Sequence, residues 1–263
     1  MRFATAATCA ALAFGVSLAL AQTAPDARHS GYGDMGPALQ KMQDDDTENP
    51  GMLWVLEGEA LWGKPVGAAG KACADCHGAT AASMKGVAAR YPAISPRSSD
   101  TSSTTPVDLE GRINLCRTEN QKAVALAPES RALLALTAFL ARHSRDLPIA
   151  PPDDARLVPF TDRGEALFKQ RQGQLNLSCA QCHDDNAGKH LAAAPIPQGH
   201  PTGYPVYRLE WQDMGSLKRR LRNCLIGMRA EPYAYDAPEY VELELYLMKR
   251  AAGMKLDAPG VRP

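Results

Sequence analysis

Four of the seven cysteines fall in two five-residue clusters, Cys73-Ala74-Asp75-Cys76-His77 and Cys179-Ala180-Gln181-Cys182-His183. Two thiols two residues apart, followed directly by an imidazole, form the covalent attachment motif of haem c. The sulfurs add to the porphyrin vinyl groups and the histidine takes the iron. With 7 Cys and 6 His in 263 residues, one such pattern is expected by chance on the order of 0.004 times, and here it occurs twice. A zinc site would need two further ligands near each cluster, and a redox dithiol would need a βαβ setting. The expectation is two covalently attached haem c groups, one on Cys73 and Cys76 and one on Cys179 and Cys182, with His77 and His183 as axial ligands.

Of the other three cysteines, Cys9 lies in an apolar leader, whereas Cys116 follows His77 by 39 residues and Cys224 follows His183 by 41. Small class I cytochromes place a methionine ligand at a comparable point. Cysteine in that slot suggests thiolate on the sixth position of both irons, which favours ferric iron and a low reduction potential. A Cys116–Cys224 disulfide and free thiols are the alternatives. Met84, Met214 and Met228 compete as ligands but suit packing better; His190 and His200 have no counterpart in the first half, and His29 and His143 read as surface residues. Arg219, Arg220, Arg222 and Arg229 surround Cys224, and on a helix Arg220 would share its face at i, i+4. Guanidinium groups there suit a small dianion, a haem propionate or simply a solvated face.

The elements that must position these groups occur twice. Residues 58–77 and 164–183 share nine of twenty residues at an offset of 106, and each stretch opens on Gly-Glu-Ala-Leu followed by an aromatic residue. Such self-similarity means two copies of one unit. A short helix should precede each cluster, with Asp162 and Glu165 as a capping box in the second copy. A longer one should close each unit: residues 129–142 carry Leu133, Leu134, Leu136, Phe139 and Leu140, and residues 239–250 carry Val241, Leu245 and Met248. Four prolines near residues 148–159 break the chain between the copies. The Ser/Thr-rich stretch 98–106 reads as a loop, and the acidic triplet Asp44-Asp45-Asp46 as a solvated face.

The expected fold is therefore mainly α, with two tandem class I cytochrome c-like haem domains joined by a Pro-rich linker. The divisions are a signal peptide at 1–21, an N-terminal extension at 22–50, domain 1 at 51–145, the linker at 146–160 and domain 2 at 161–263. Arg2 followed by an apolar run to Leu20 and Ala19-Leu20-Ala21 carries the signal-peptide pattern, which implies a periplasmic protein with no membrane span after cleavage. Lys+Arg and Asp+Glu are both 29, which excludes a nucleic-acid binder that relies on charge. At 45% hydrophobic residues, intrinsic disorder is excluded too.

Two C-x-x-C-H motifs, a cysteine about 40 residues after each, and an arginine-rich run before the last cysteine together resemble the SoxA family of dihaem cytochromes of periplasmic sulfur oxidation. The resemblance spans nearly the whole chain after the leader. It implies an L-cysteine S-thiosulfotransferase that couples thiosulfate oxidatively to a cysteine of SoxY within the SoxYZ carrier, with a SoxX-type c cytochrome as partner and a cytochrome as electron acceptor. It also implies that Cys224 is both iron ligand and catalytic group, able to carry a persulfide, and that Arg220 binds the substrate. The first haem is left with an electron-storage or structural role, and Arg250 as a weaker pocket residue. The competing readings are a thiosulfate dehydrogenase forming tetrathionate, which needs no carrier, a non-catalytic dihaem electron carrier, and, more distantly, a dihaem peroxidase.

Overall fold

The computed structural model describes residues 27–95 and 104–263. The signal-peptide stretch and most of the Ser/Thr-rich loop lie outside them. The chain begins with α1 (Pro37–Asp44), and the first unit follows as α2 (Met52–Trp62), α3 (Ala74–His77), β1 (Ala93–Ile94), β2 (Pro106–Val107), α4 (Leu109–Glu119) and α5 (Arg131–Arg142). The second unit repeats the order with α6 (Val158–Lys169), α7 (Cys179–His183), β3 (His190–Leu191), β4 (Ala194–Pro195), β5 (Val206–Arg208), β6 (Asp213–Gly215), α8 (Leu217–Gly227) and α9 (Pro238–Arg250), and β7 (Gly260–Arg262) ends it. The fold is mainly α, two cytochrome c-like units in tandem. Among the described residues no helix is long and apolar enough to cross a membrane.

In each unit the helix before the motif crosses the closing helix, α2 on α5 and α6 on α9. The repeated glycine makes the crossing possible. A Cβ on Gly58 would lie 2.1 Å from the Ala135 carbonyl oxygen, and one on Gly164 would lie 2.0 Å from that of Glu242. Only a residue without a side chain lets the two backbones approach this closely. Leu133, Leu134, Leu136, Phe139 and Leu140 of α5 are all buried, as are Leu243, Leu245, Leu247 and Met248 of α9. Both stripes fill cores, which is the ordinary use of such periodicity.

The start of α6 differs from the sequence expectation. Asp162 lies inside the helix and caps nothing, because the chain enters through a 3-10 turn at Ala155–Leu157 and Pro159 occupies the first turn of α6. Proline's fixed φ suits that position, so the helix begins upstream of Asp162. The capping box sits instead at the haem motif. Ser178 Oγ accepts from the Gln181 backbone N–H at 3.3 Å, and Gln181 Oε1 accepts from the Ser178 N–H at 2.9 Å.

The stretch 146–160 is not a loose tether. Asp146 and Ile149 donate backbone hydrogen bonds to Leu256 and Met254 at 2.8 Å each, Ile149 is fully buried, and the last three residues already belong to α6. The N-terminal extension is equally committed. Buried Gln43 accepts from the Val261 N–H at 2.9 Å, and Asn49 donates to the Pro259 carbonyl at 3.1 Å. In the acidic triplet, Asp46 pairs with Arg142 and Arg145 at 2.7 and 2.8 Å, so it ties the extension to α5.

The two units share an interior. Tyr207 and Met214 of the second pack into the core of the first beside Trp54. The N-termini of α4 and α8 face one another. Asp108, the N-cap of α4, pairs with Lys218 of α8 at 2.5 Å, and Ser216, the N-cap of α8, donates its hydroxyl to Glu129.

Candidate functional site

The second-unit motif lies on one wall of a cavity of about 180 Å³ that is also lined by Arg208, Arg220 and Cys224. The imidazole of His183 is fixed by its own loop. Pro197 offers only a carbonyl oxygen, 2.7 Å from Nδ1, so Nδ1 carries the proton and Nε2 is left as the lone-pair nitrogen. Gly199 lies flat on the ring, where a Cβ would meet the imidazole at 3.2 Å. Cys224, near the end of α8, hydrogen-bonds with His183. Burial pushes the Cys224 thiol up, but the His183 hydrogen bond and the Arg220, His183 and Arg208 charges outweigh it and hold the thiol below its ordinary range. Cys179 shows the opposite balance: burial, with the Cys224 charge nearby, pushes it up to about 11. The cavity thus sets the Cys179 thiol and the His183 imidazole beside Cys224, a thiol held below its ordinary range.

The four arginines around Cys224 do different work. Arg219 stacks on Trp211 at 4.2 Å and reaches Asp213 at 3.4 Å. Arg222 donates to the Tyr233 carbonyl and covers the Tyr235 ring at 4.4 Å. Arg229 lies beyond α8 at a left-handed φ of 56°. Arg220, one helical turn before Cys224, lines the cavity, and its charge favours the ionised cysteine. Arg250 is committed elsewhere: it pairs with Asp184 at 2.6 Å and lies over Phe168 at 4.7 Å.

The first-unit motif lines a cavity of about 430 Å³ with Trp62, Arg112 and Cys116. Here the imidazole rests on an aromatic ring, with His77 and Trp62 centroids 5.7 Å apart and Trp62 donating to the Gly78 carbonyl at 2.9 Å. Asn120 lies 3.8 Å from the Cys116 sulfur and Gln121 lies 3.7 Å from that of Cys73. Burial pushes the Cys73 thiol up.

Both cavities fit a haem c group by the chemistry of their donor sets. The first is lined by Cys73, Cys76 and His77 of its motif and the second by Cys179 and His183 of its own, each with a thiol from the facing helix and apolar walls: Leu109, Ile113, Leu136 and Leu140 in the first, Phe168, Leu217, Leu221, Leu243 and Leu247 in the second. All six described cysteines are free, and Cys116 and Cys224 line separate cavities, so no disulfide joins them. Among the described residues no three His, Cys, Asp or Glu side chains converge as a zinc ion would require. Met214 and Met228 are buried in cores, while Met84 lines the first cavity beside Cys116. His29 pairs with Asp34 at 2.9 Å, His190 is exposed on β3, and His200 lines the second cavity. His143 packs edge-on against Phe139 at 4.8 Å and is not the surface residue the sequence suggested.

Sequence reasoning missed Arg208 and Tyr204, which reach the second cavity from the loop and strand before α8. A signal existed for Tyr204: Tyr91-Pro92 and Tyr204-Pro205 recur as a pair at equivalent places. Nothing local marks Arg208, because a strand register brings it to the site.

The model of the SoxA/TsdA cytochrome c domain matches this chain twice, over residues 57–149 and 163–256. An L-cysteine S-thiosulfotransferase subunit SoxA from Pseudaminobacter salicylatoxidans is 36% identical over 219 residues, covering 83% of this chain and 75% of the relative. The same-named protein of Rhodovulum sulfidophilum is 35% identical over 237 residues, covering 90% and 81%. Among solved structures, the crystal structure of SoxXA from P. pantotrophus superimposes with a TM-score of 0.83 at 28% identity, covering 90% of this chain and 87% of that one.

Proposed function

The chain belongs to the SoxA/TsdA cytochrome c family, and from that premise we propose that it is the SoxA-type subunit of an L-cysteine S-thiosulfotransferase, acting on thiosulfate in sulfur oxidation. The observation that carries this reading is the placement of Cys224. Its sulfur faces the imidazole of His183 across the cavity, with the Arg220 charge one turn away. A thiol alone could serve to lower a potential in an electron carrier; the cations beside it suit an anionic substrate as well.

The net reaction joins the thiol of the carrier to thiosulfate: a sulfur–sulfur bond forms, one proton leaves, and two electrons must be taken up. Two haem c groups, held covalently by Cys73 with Cys76 and by Cys179 with Cys182, would supply the electron acceptor. His77 and Cys116 would ligate the first iron, and His183 and Cys224 the second. Around them the chain's own residues bind and orient. Arg220 draws the dianion toward Cys224 and compensates its charge. The Pro197 carbonyl keeps the His183 proton on Nδ1 and the ring at a fixed angle. The His183 hydrogen bond and the neighbouring cations favour the ionised form of Cys224, the more nucleophilic form of the sulfur.

The structural likeness to a SoxXA complex supports a SoxX-type c cytochrome as partner. The cysteine acceptor is proposed to be SoxY within SoxYZ, the electron acceptor a cytochrome, and the compartment the periplasm, as the leader at 1–21 suggests. The test is turnover of thiosulfate by the purified, haem-loaded protein with its partner cytochrome. Consumption of thiosulfate only when the carrier is present supports the reading. Tetrathionate formed without the carrier would replace it with a thiosulfate dehydrogenase. A non-reducing peptide map then reports whether Cys224 carries an added sulfur, and a haem-to-protein ratio of two tests the cofactor count.

A further inference from the structure

The strand ladders align the two units residue by residue. Val206 pairs with Gly215, and Ala93 pairs with Val107; Gly215 and Val107 each directly precede the N-cap of the helix that carries the facing cysteine. Ala93 and Val206 are therefore equivalent, Tyr91-Pro92 falls on Tyr204-Pro205, and two residues beyond the paired position Ser95 falls on Arg208. Strand β5 thus delivers a guanidinium to the second cavity where the first unit has a small hydroxyl. The first cavity has arginines of its own, Arg90, Arg112 and Arg117; Arg112 precedes Cys116 by four residues as Arg220 precedes Cys224, but none stands at the place of Arg208.

Arg208 is a half-buried cation with little to neutralise it. Its one carboxylate contact is from Nη2 to Glu210 at 3.1 Å, and the Glu210 side chain is 64% exposed, so that pair is weak. Its buried Nε has no hydrogen-bond partner. Trp211 supports the guanidinium at 5.2 Å. Arg262, beside it on β7, differs: Gln43 and Asp257 hold it at 2.5 and 3.1 Å. Arg208 and Arg220 line the same cavity as Cys224 and repel one another, so one cleft holds two cations. Two cations gathered in one cleft favour an anionic ligand there, and a dianion matches them in charge.

We propose that Arg208 is a second substrate-binding residue, which together with Arg220 holds the sulfonate end of thiosulfate in front of Cys224. The inference rests on the thiosulfotransferase reading and adds to it the residue that makes the cleft match a dianion. Two guanidiniums from different elements, a strand and a helix, can grip separate oxygens of one sulfonate and leave its outer sulfur free.

The test is steady-state kinetics of Arg208→Ser, the residue of the first unit, in the haem-loaded complex with its partner and carrier. Loss of one charge-assisted contact should raise the KM for thiosulfate about tenfold or more while the KM for the carrier stays within about twofold. The reduction potential and absorption spectrum should not move, and Arg208→Lys should recover part of the loss. If Arg208→Ser fails to accumulate, Arg208→Lys carries the same test through a smaller rise in the thiosulfate KM. An unchanged KM overturns the proposal. So does a shifted potential with unchanged KM, which would assign Arg208 to the haem rim. Absence of turnover in the unsubstituted complex sinks the thiosulfotransferase reading itself, an outcome visible before any variant is made.

Discussion

Cys224 and Cys116 occupy equivalent slots, yet their surroundings give the two sulfurs different prospects. Cys224 faces a fixed imidazole and two cations, whereas Cys116 has the carboxamide of Asn120 3.8 Å away. Replacement of Cys224 should therefore remove chemistry and not only tune a potential. Cys224→Met is expected to lower kcat by about a thousandfold or more. It should also raise the potential of the second haem, since a thioether replaces a thiolate. Retained turnover with only a shifted potential would reduce Cys224 to an electron-transfer ligand. At this scale the grouping was legible in short, regular spacings: the C-x-x-C-H clusters, and Arg220 one helical turn before Cys224 on the wall of one cavity. Arg208 was not, because its place depends on pairing between Val206 and Gly215, which no local spacing encodes.

At the scale of elements, the duplicated Gly-Glu-Ala-Leu marks the point where two helices touch. Gly164→Ala would drive a methyl into the Glu242 carbonyl, so α6 and α9 must separate or bend. A loss of about 1–3 kcal/mol is expected, read as a lower midpoint in thermal or denaturant unfolding; stabilisation, as alanine normally gives within a helix, would show that the crossing yields easily. The closing helices α5 and α9 were legible from periodicity because both bury broad apolar faces. The start of α6 and the commitment of residues 146–149 were not. Proline reads as a break in either case, and whether the broken strand floats or pairs depends on the distant residues Met254 and Leu256.

At the scale of the molecule, the seam between the units is a charged interior. Asp108, Glu110 and Glu244 surround Lys218, three carboxyls to one ammonium. Burial, then the Asp108 charge, pushes Glu110 from 4.5 up to about 8 against the pull of Lys218, and burial with the Asp108 charge holds Glu244 well above the ordinary range. A carboxyl raised on folding contributes its stability fully below the unfolded value and loses it as pH rises through the folded one. Unfolding free energy should therefore decline between pH 4.5 and about 8 on this account, and Glu110→Gln should flatten the decline. A slope unaffected by Glu110→Gln would place the titration elsewhere. Lys218→Met removes the cation that faces these carboxyls among the described residues, with Asp108 only 5% exposed, and should destabilise the protein by about 3 kcal/mol at neutral pH. Equilibrium denaturation measures it; a neutral result would mean the carboxyls protonate at negligible cost.

The bond between Gln43 and Val261 joins positions separated by 218 residues. A chain that emerges from its N-terminal side presents α1 first and the strand at residues 260–262 long afterwards. In that interval α1 gains Arg145, which donates to the Gln43 carbonyl at 3.2 Å, but not the strand that engages the Gln43 side chain. Closure of the molecule is thus a terminal event in its biogenesis, later than the appearance of either C-x-x-C-H motif. A chain halted between residues 183 and 260 has both C-x-x-C-H motifs and lacks the strand that closes on Gln43.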